Sequence, residues 1–210
     1  MQDVKKPVID AIRELFIIRD DCYAQQLEGL NEYKVINQTF SDDIIKKHLK
    51  GLITVGSFQV EPKSNKVKWI CFDFDGIIEE EFEKAKRLFE KILSKGMNPI
   101  LEFSGRRGFH IWLFIEPVDL SVARQFALEI SKNEIISDIY PKNSKIEKNG
   151  YGTQVKLPLG VHRASNKRSY FFNSNFKPMN YIESMDFLIN LSKKERDKIK
   201  ITNIKSFLGE

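Results

Sequence analysis

The run Lys66–Asp75 constrains the fold of this chain more than any other segment. Val67, Trp69, Cys71, Asp73 and Asp75 alternate there with Lys68, Ile70, Phe72 and Phe74. Apolar residues in both alternating sets describe a strand buried on both faces, which requires a layer of structure on each side. The run then stops in two carboxylates and Gly76. Alternation places Asp73 and Asp75 on one face of the strand end, about 7 Å apart along the chain. Two carboxylates so placed repel each other, so a cation is expected to join them, and hard oxygen ligands suit Mg²⁺ or Mn²⁺. The alternative is a strand whose acids simply end in solvent with a turn at Gly76.

Around this strand the pattern reads as α+β. Residues 79–95 are amphipathic through Phe82, Ala85, Leu88, Phe89, Ile92 and Leu93, and Gly96 stops them. Residues 99–103 and 109–115 read as strands joined by Ser104-Gly105-Arg106-Arg107-Gly108, 121–130 as a helix, and 154–159 and 169–173 as late strands. Strand, helix, strand, strand, helix, strand predicts the split βαβ arrangement of an RRM-like mixed sheet. Upstream, Val8, Ile9, Ile12, Leu15 and Phe16 recur at helical spacing. Ser41, Asp42 and Asp43 open a second helix carrying Ile44, Ile45 and Leu49, Gly51 ends it, and 52–60 read as a strand. From Tyr181 the chain reads as helical, with Ser192 and Glu195 in a capping-box relation. The expected organisation is an N-terminal α/β accessory unit over 1–62, an RRM-like catalytic core over 63–180 and a C-terminal helical segment over 181–210.

A hydrophobic fraction of 41% with 16 Phe builds a core without covalent staples. Cys22 and Cys71 with three histidines support neither a disulfide framework nor a zinc site, which points to a reducing compartment. No apolar run approaches the roughly 20 residues of a membrane span, and the N-terminus lacks a signal-peptide core, so a cytoplasmic protein with no membrane partner is expected. The net charge of +5 is unevenly spread. Between Lys142 and Lys177 stand eight Lys or Arg against the single acid Glu147, a distribution suited to a polyanion or to a solvated basic surface.

Two further constellations could carry chemistry. The turn Ser104-Gly105-Arg106-Arg107-Gly108 exposes backbone N–H groups between arginines, and His110 returns on the following strand, so phosphate oxygens could be held from several sides. Taken alone, His110 among apolar residues would be an ordinary core histidine. Within the basic segment, Lys156-Leu157-Pro158-Leu159-Gly160-Val161-His162-Arg163 could bring Lys156 to the aspartates' face and His162 and Arg163 to phosphates, or could be merely a basic hairpin.

At these segments the chain resembles the archaeo-eukaryotic primase superfamily, especially its bacterial and mobile-element primase-polymerases, some of them CRISPR-associated. The resemblance spans about residues 20 to 175. Asp73 and Asp75 match the Asp-x-Asp motif, and Ser104 and His110 match the Ser and His around a Gly-rich turn. Asp138, in Ser137-Asp138-Ile139-Tyr140-Pro141, followed by Lys156, fits the third motif, a metal-binding acid before a basic strand. Glu102 and Asp119 compete with Asp138, whose bland alternative is a surface acid. The resemblance implies a DNA primase-polymerase acting on a DNA template, a primer strand and (d)NTPs, with two Mn²⁺ or Mg²⁺ ions held by Asp73, Asp75 and Asp138. It implies that Ser104, His110, Lys156 and His162 grip the triphosphate, and that Arg106, Arg107, Arg163, Lys167 and Arg168 meet template or primer phosphates. A chain without a zinc site or separate helical priming domain would fit a catalytic core belonging to a longer polypeptide.

Two rivals share the features. Phe72-Asp73-Phe74-Asp75-Gly76-Ile77 also fits the opening of haloacid-dehalogenase-like phosphohydrolases, with Asp73 as nucleophile, although no acid stands between Lys156 and Lys177 to complete that site. A non-catalytic single-strand-binding module would hold nucleic acid on an open sheet through Trp112 and Phe114.

Overall fold

The computed structural model describes residues 4–147 and 150–194. Its first elements are α1 (Lys6–Phe16), β1 (Tyr23–Gln26), β2 (Tyr33–Ile36), α2 (Asp42–Leu49) and β3 (Val55–Phe58). The central elements are β4 (Lys66–Asp75), α3 (Ile78–Ser94), β5 (Ile100–Phe103), β6 (Gly108–Asp119), α4 (Leu120–Ile130) and β7 (Asp138–Tyr140). The chain continues through β8 (Gln154–Lys156), β9 (Tyr170–Phe171) and α5 (Tyr181–Ser192). The expected α+β class holds.

The long strand behaves as its alternation demands. β4 lies in the five-stranded order β7-β4-β6-β5-β9, antiparallel to both neighbours. In β4-α3-β5 the space between the two strands is filled by β6, and α4 carries the chain across to β7 at the far side of β4, which is the split βαβ arrangement. One face packs Ile70, Phe72, Phe74, Ile111 and Leu113 under Ala85, Leu88 and Ile92 of α3 and Ala123 and Phe126 of α4. The other packs Trp69, Cys71 and Trp112 under α1, α2 and Leu188 of α5. Alternation groups Val67 with Trp69, but an irregularity between them turns Val67 to the α3 side.

The fourth strand of the split βαβ unit is 138–140, not 154–159. β8 instead pairs antiparallel with β3, Gly56 opposite Lys156, and completes a second sheet of order β2-β1-β3-β8. Residues from all three expected segments therefore meet in one core: Phe16 and Leu49, Trp69 and Leu157, and Leu188. Phe16 is the hinge of that contact, its carbonyl accepting from Trp69 Nε1–H at 2.9 Å and Ser57 Oγ–H at 3.0 Å. The C-terminal capping box opens α5, where Asn180 and Glu183 bond each other's backbone N–H. Ser192 is the last residue of that helix, and Glu195 lies outside the described residues.

A buried histidine ties α2 to the four-stranded sheet, at β3 and just beyond β8. Nδ1 of His48 accepts from Val55 N–H at 3.1 Å, and its Nε2–H donates to Pro158 O at 3.1 Å, a pattern only the neutral ring can satisfy. A Cβ on Gly160 would come within 2.1 Å of the ring, so only glycine fits there. Burial, aided by the positive charge of Lys156, depresses the His48 pKa to about 3. The unfolded chain therefore binds a proton that the native one refuses, and this stability is present above the unfolded pKa of about 6.5 and lost as pH falls below it. Between pH 7 and pH 5 the wild-type protein should lose ~2 kcal/mol more than a His48→Gln variant, read from chemical denaturation at the two pH values.

Candidate active site

The strand pairing lines up four ionisable residues across one face of the five-stranded sheet. Asp138 stands opposite Asp73, Asp73 opposite His110, and His110 opposite Glu102. Directly paired residues share a face, so this row follows from register alone. His110 Nδ1 lies 3.0 Å from Glu102 Oε2, its Nε2 3.6 Å from Asp73 Oδ1, and Trp112 Nε1–H donates to Glu102 Oε2 at 2.8 Å. From the second sheet Lys156 completes the chain, its Nζ 3.6 Å from Glu102 Oε1 while donating to Leu157 O at 2.9 Å and Ser169 Oγ at 3.2 Å. Glu102 is fully buried, and its Oε1 accepts no hydrogen bond among the described residues, so Lys156 is its nearest counter-charge.

These charges set one another. Burial pushes the Glu102 carboxyl up, but Lys156, His110 and the two hydrogen bonds outweigh it and hold the group below the usual range. Burial would lower His110, yet the flanking acids Glu102 and Asp73 raise it. Lys156 is lowered by burial, which Glu102 opposes. Asp73 is raised by burial, with His110 opposing and Asp75 and Asp138 adding repulsion.

The turn that delivers the second constellation is tight. Ser104 N–H donates to Gly108 O at 2.9 Å. Gly105 has φ +94°, and a Cβ on Gly108 would sit 2.2 Å from Phe74 O. Gly108 lets the turn press against the end of β4, where Arg107 grips Asp75 through two bonds of 2.8 and 3.0 Å, and Gly105 lets it lie against Lys167 O.

One cavity gathers most of the residues expected at the site: Asp73, Asp75, Ser104, Arg106, His110, Lys156 and His162. Its remaining wall consists of Asn31, Tyr33, Tyr140, Gln154 and Val155. Asp138 is not on that wall, its carboxylate bonding Lys142 at 2.7 Å beside it. His162, expected at the triphosphate, lines the cavity with its ring bonded inside the protein. Its Nε2–H donates to Asn31 Oδ1 at 3.0 Å, its Nδ1 accepts from Ala164 N–H at 3.3 Å, and burial and the charges of Lys156 and Arg106 lower its pKa to about 4. A neutral ring with both nitrogens engaged positions the β1–β2 connection.

Part of the basic segment is internal to the fold. Arg163 donates to Thr54 Oγ1 at 2.8 Å and Gly51 O at 2.6 Å, and Arg168 donates to Leu49 O at 2.8 Å and stacks 4.4 Å over Tyr181. Both arginines, expected at strand phosphates, bond main-chain carbonyls of the α2 end and the loop after it. Lys167 is exposed. The binding-module reading loses its platform, because Trp112 and Phe114 are 1% and 5% exposed and covered edge-on by Phe16. Of the two acids rivalling Asp138, Glu102 is a buried counter-ion and Asp119 sits at the start of α4. Tyr33, Asn31 and Tyr140 were not expected at the site, and the two-stranded β1–β2 segment that brings the first two has no alternating signal long enough to reveal it.

Among the described residues no three His, Cys, Asp or Glu side chains converge as ready-made metal ligands. The donor set nonetheless suits a hard divalent cation, since Asp73 and Asp75 share the cavity and repulsion from Asp75 and Asp138 bears on the half-buried Asp73. No described helix is long and apolar enough to cross a membrane.

The profile of the Archaeo-Eukaryotic Primase domain of TOTE conflict systems matches residues 30–202. Among solved structures, the AEP domain of the cyanophage S-2L primase-polymerase is 10% identical, with 86% of this chain and 94% of that one covered and a TM-score of 0.47. Primase RepB′ is 9% identical, covering 88% of this chain and 62% of that one at a TM-score of 0.48. The polymerase domain of Mycobacterium tuberculosis Ligase D, in complex with DNA, is 13% identical, covering 90% and 74% at a TM-score of 0.37. No curated protein matches.

Removing one partner of the buried pair should be costly. Glu102→Gln leaves Lys156 buried beside a neutral amide and should destabilise the protein by ~3–5 kcal/mol. Adding Lys156→Met should recover part of that loss, and a double-mutant cycle by denaturant unfolding measures the coupling.

Proposed function

Because the chain belongs to the Archaeo-Eukaryotic Primase domain family of TOTE conflict systems, we propose that it is a nucleotidyltransferase of the DNA primase-polymerase kind. In this reading it transfers nucleotides from (d)NTPs to the 3′-hydroxyl of a strand on a DNA template, and also starts strands. The observation that carries it is the convergence of Asp73 and Asp75 with Ser104, Arg106, His110 and Lys156 on one cavity.

Each residue then has a chemical task. Asp73 and Asp75, with Asp138 beside them, would hold two Mg²⁺ or Mn²⁺ ions. When bound, such ions favour ionisation of the attacking hydroxyl and offset the charge of the departing pyrophosphate. Lys156 and His110, kept cationic-side inward by Glu102, place fixed positive charge beside the aspartates, where a triphosphate approaches. Ser104 and Arg106, on the glycine turn, donate hydrogen bonds to phosphate oxygens from the opposite side. Lys167 and Arg107, both exposed, would meet strand phosphates, Arg107 once it parts from Asp75.

The phosphohydrolase alternative finds no support in the antiparallel setting of β4 or in the family match. Primer extension with Mn²⁺ or Mg²⁺, dNTPs and a primed template tests the proposal, and an unprimed template tests initiation. The wild type should extend, and Asp73→Asn should reduce extension about a hundredfold or more while strand binding in a gel-shift assay persists. Hydrolysis of p-nitrophenyl phosphate that vanishes in Asp73→Asn, with no extension by the wild type, would overturn it.

A further inference from the structure

The cations at the head of the basic segment, Lys142 and Lys145, line a second cavity of about 580 Å³ between α4 and the loop after β7. Three of its eight wall residues are cations, Arg124 of the helix joining the two lysines, and none is an acid or an aromatic. The others, Leu128 apart, carry hydroxyl or amide groups. The helix supplies its share at positions 121, 124, 125 and 128, a spacing that puts all four on one face of α4. Arg124 is held in place by one nitrogen: its Nη1–H groups donate to Ile139 O at 2.9 Å and Pro141 O at 3.0 Å. Among the described residues its Nε and Nη2 donate to nothing, and Lys145, exposed, has no partner. Lys142 lies between this cavity and the first, bonding Asp138 at 2.7 Å with its Nζ 5.2 Å over the ring of Tyr140.

We propose that this cavity is a second phosphate-binding site, outside the candidate active site, which takes a phosphate group carried by a nucleic-acid strand or by a free nucleotide. A guanidinium anchored at one corner presents its remaining donors as a fork suited to two oxygens of one anion. Lys145 adds a mobile point charge, and Ser121 and Gln125 from one side with Asn143 and Ser144 from the other offer donors to the remaining oxygens. Lys142 can join them, because its pair with Asp138 is 37% and 40% exposed and costs little to exchange. With no aromatic ring on the wall, no base would be stacked there, so the phosphate alone is recognised. The two cations for which the fold has least internal use thus face a wall with no acid. The site adjoins β7, the edge strand of the five-stranded sheet, whose Asp138 stands opposite Asp73.

The test reads binding by the full chain in EDTA, with two probes: a fluorescein-labelled single-stranded oligonucleotide followed by anisotropy, and sodium tripolyphosphate followed by isothermal titration calorimetry. Gln125→Glu and Lys145→Glu each put a carboxylate on the wall at an exposed position. Lys132→Glu, just past the end of α4 and outside the cavity, makes the same change of charge as Lys145→Glu. Each cavity variant should weaken at least one probe by about tenfold, and Lys132→Glu should weaken neither by more than about twofold. A loss confined to the oligonucleotide assigns the site to a strand, one confined to tripolyphosphate assigns it to the tail of a free nucleotide, and a loss with both shows that either source is taken. The inference is overturned if the wild type binds neither probe, if either cavity variant leaves both probes unaffected, or if Lys132→Glu weakens binding as far as Lys145→Glu, which would reduce the effect to net charge. No turnover is read, so a wild type that fails to extend primers would remove the nucleotidyltransferase reading and leave this site standing.

Discussion

A carboxylate with no access to water is the costliest group in this molecule, and Glu102 is that group. An ion buried alone costs several kcal/mol even after relaxation, so the surroundings must be organised around it. Three side chains do this from two strands: His110 and Trp112 from the adjacent strand, and Lys156 from the other sheet. The consequence is architectural as well as chemical. Lys156 can reach Glu102 only if β8 lies against the five-stranded sheet, and β8 carries with it β3, β1 and β2. The same carboxylate raises His110 and turns its Nδ1 inward, leaving Nε2 toward Asp73. One buried charge thus couples the placement of the second sheet to the electrostatics of the candidate site.

The basic segment shows that a run of cations can serve the fold itself. Eight cations against one acid read as a polyanion surface. In the folded chain Lys156 neutralises Glu102, while Arg163 and Arg168 satisfy carbonyls at the end of α2 and in the loop after it. Those carbonyls have no intrahelical partner, and a planar guanidinium with several donors can serve more than one of them at once. Three of the eight cations in this stretch therefore hold the fold together.

What was legible in the sequence tracks the length of the periodic signal. β4 and β6 are long and apolar on both faces, and α3 shows helical spacing over four turns, so all three could be read, as could the aspartates at the end of β4 and the glycine turn. β7 has no period to detect in Asp138-Ile139-Tyr140. β8 could be seen as a strand, but nothing local says which of two sheets it joins, since that is decided by Lys156 seeking Glu102. Trp112 and Phe114 exposed a related limit: alternation shows that they share a face with His110, but not that α1 covers it. Glu102 was visible only as one acid among three, because a buried counter-ion and a metal ligand look alike until their neighbours are known.

The ion pairs around the site fall into two kinds, and the difference bears on how it can work. Glu102 is sealed from solvent while Lys156 and His110 reach the cavity wall, so neither partner can leave it without stranding a buried charge. Asp75 with Arg107 and Asp138 with Lys142 lie at the surface, with each side chain between 37% and 53% exposed. Pairs of that kind contribute little to stability and exchange partners readily. A carboxylate can leave such a pair for another cation, and the released arginine or lysine can turn to a phosphate, at small cost to the fold. The buried chain thus supplies the fixed field that favours a polyanion beside Asp73, and the exposed pairs supply the groups free to rearrange around it.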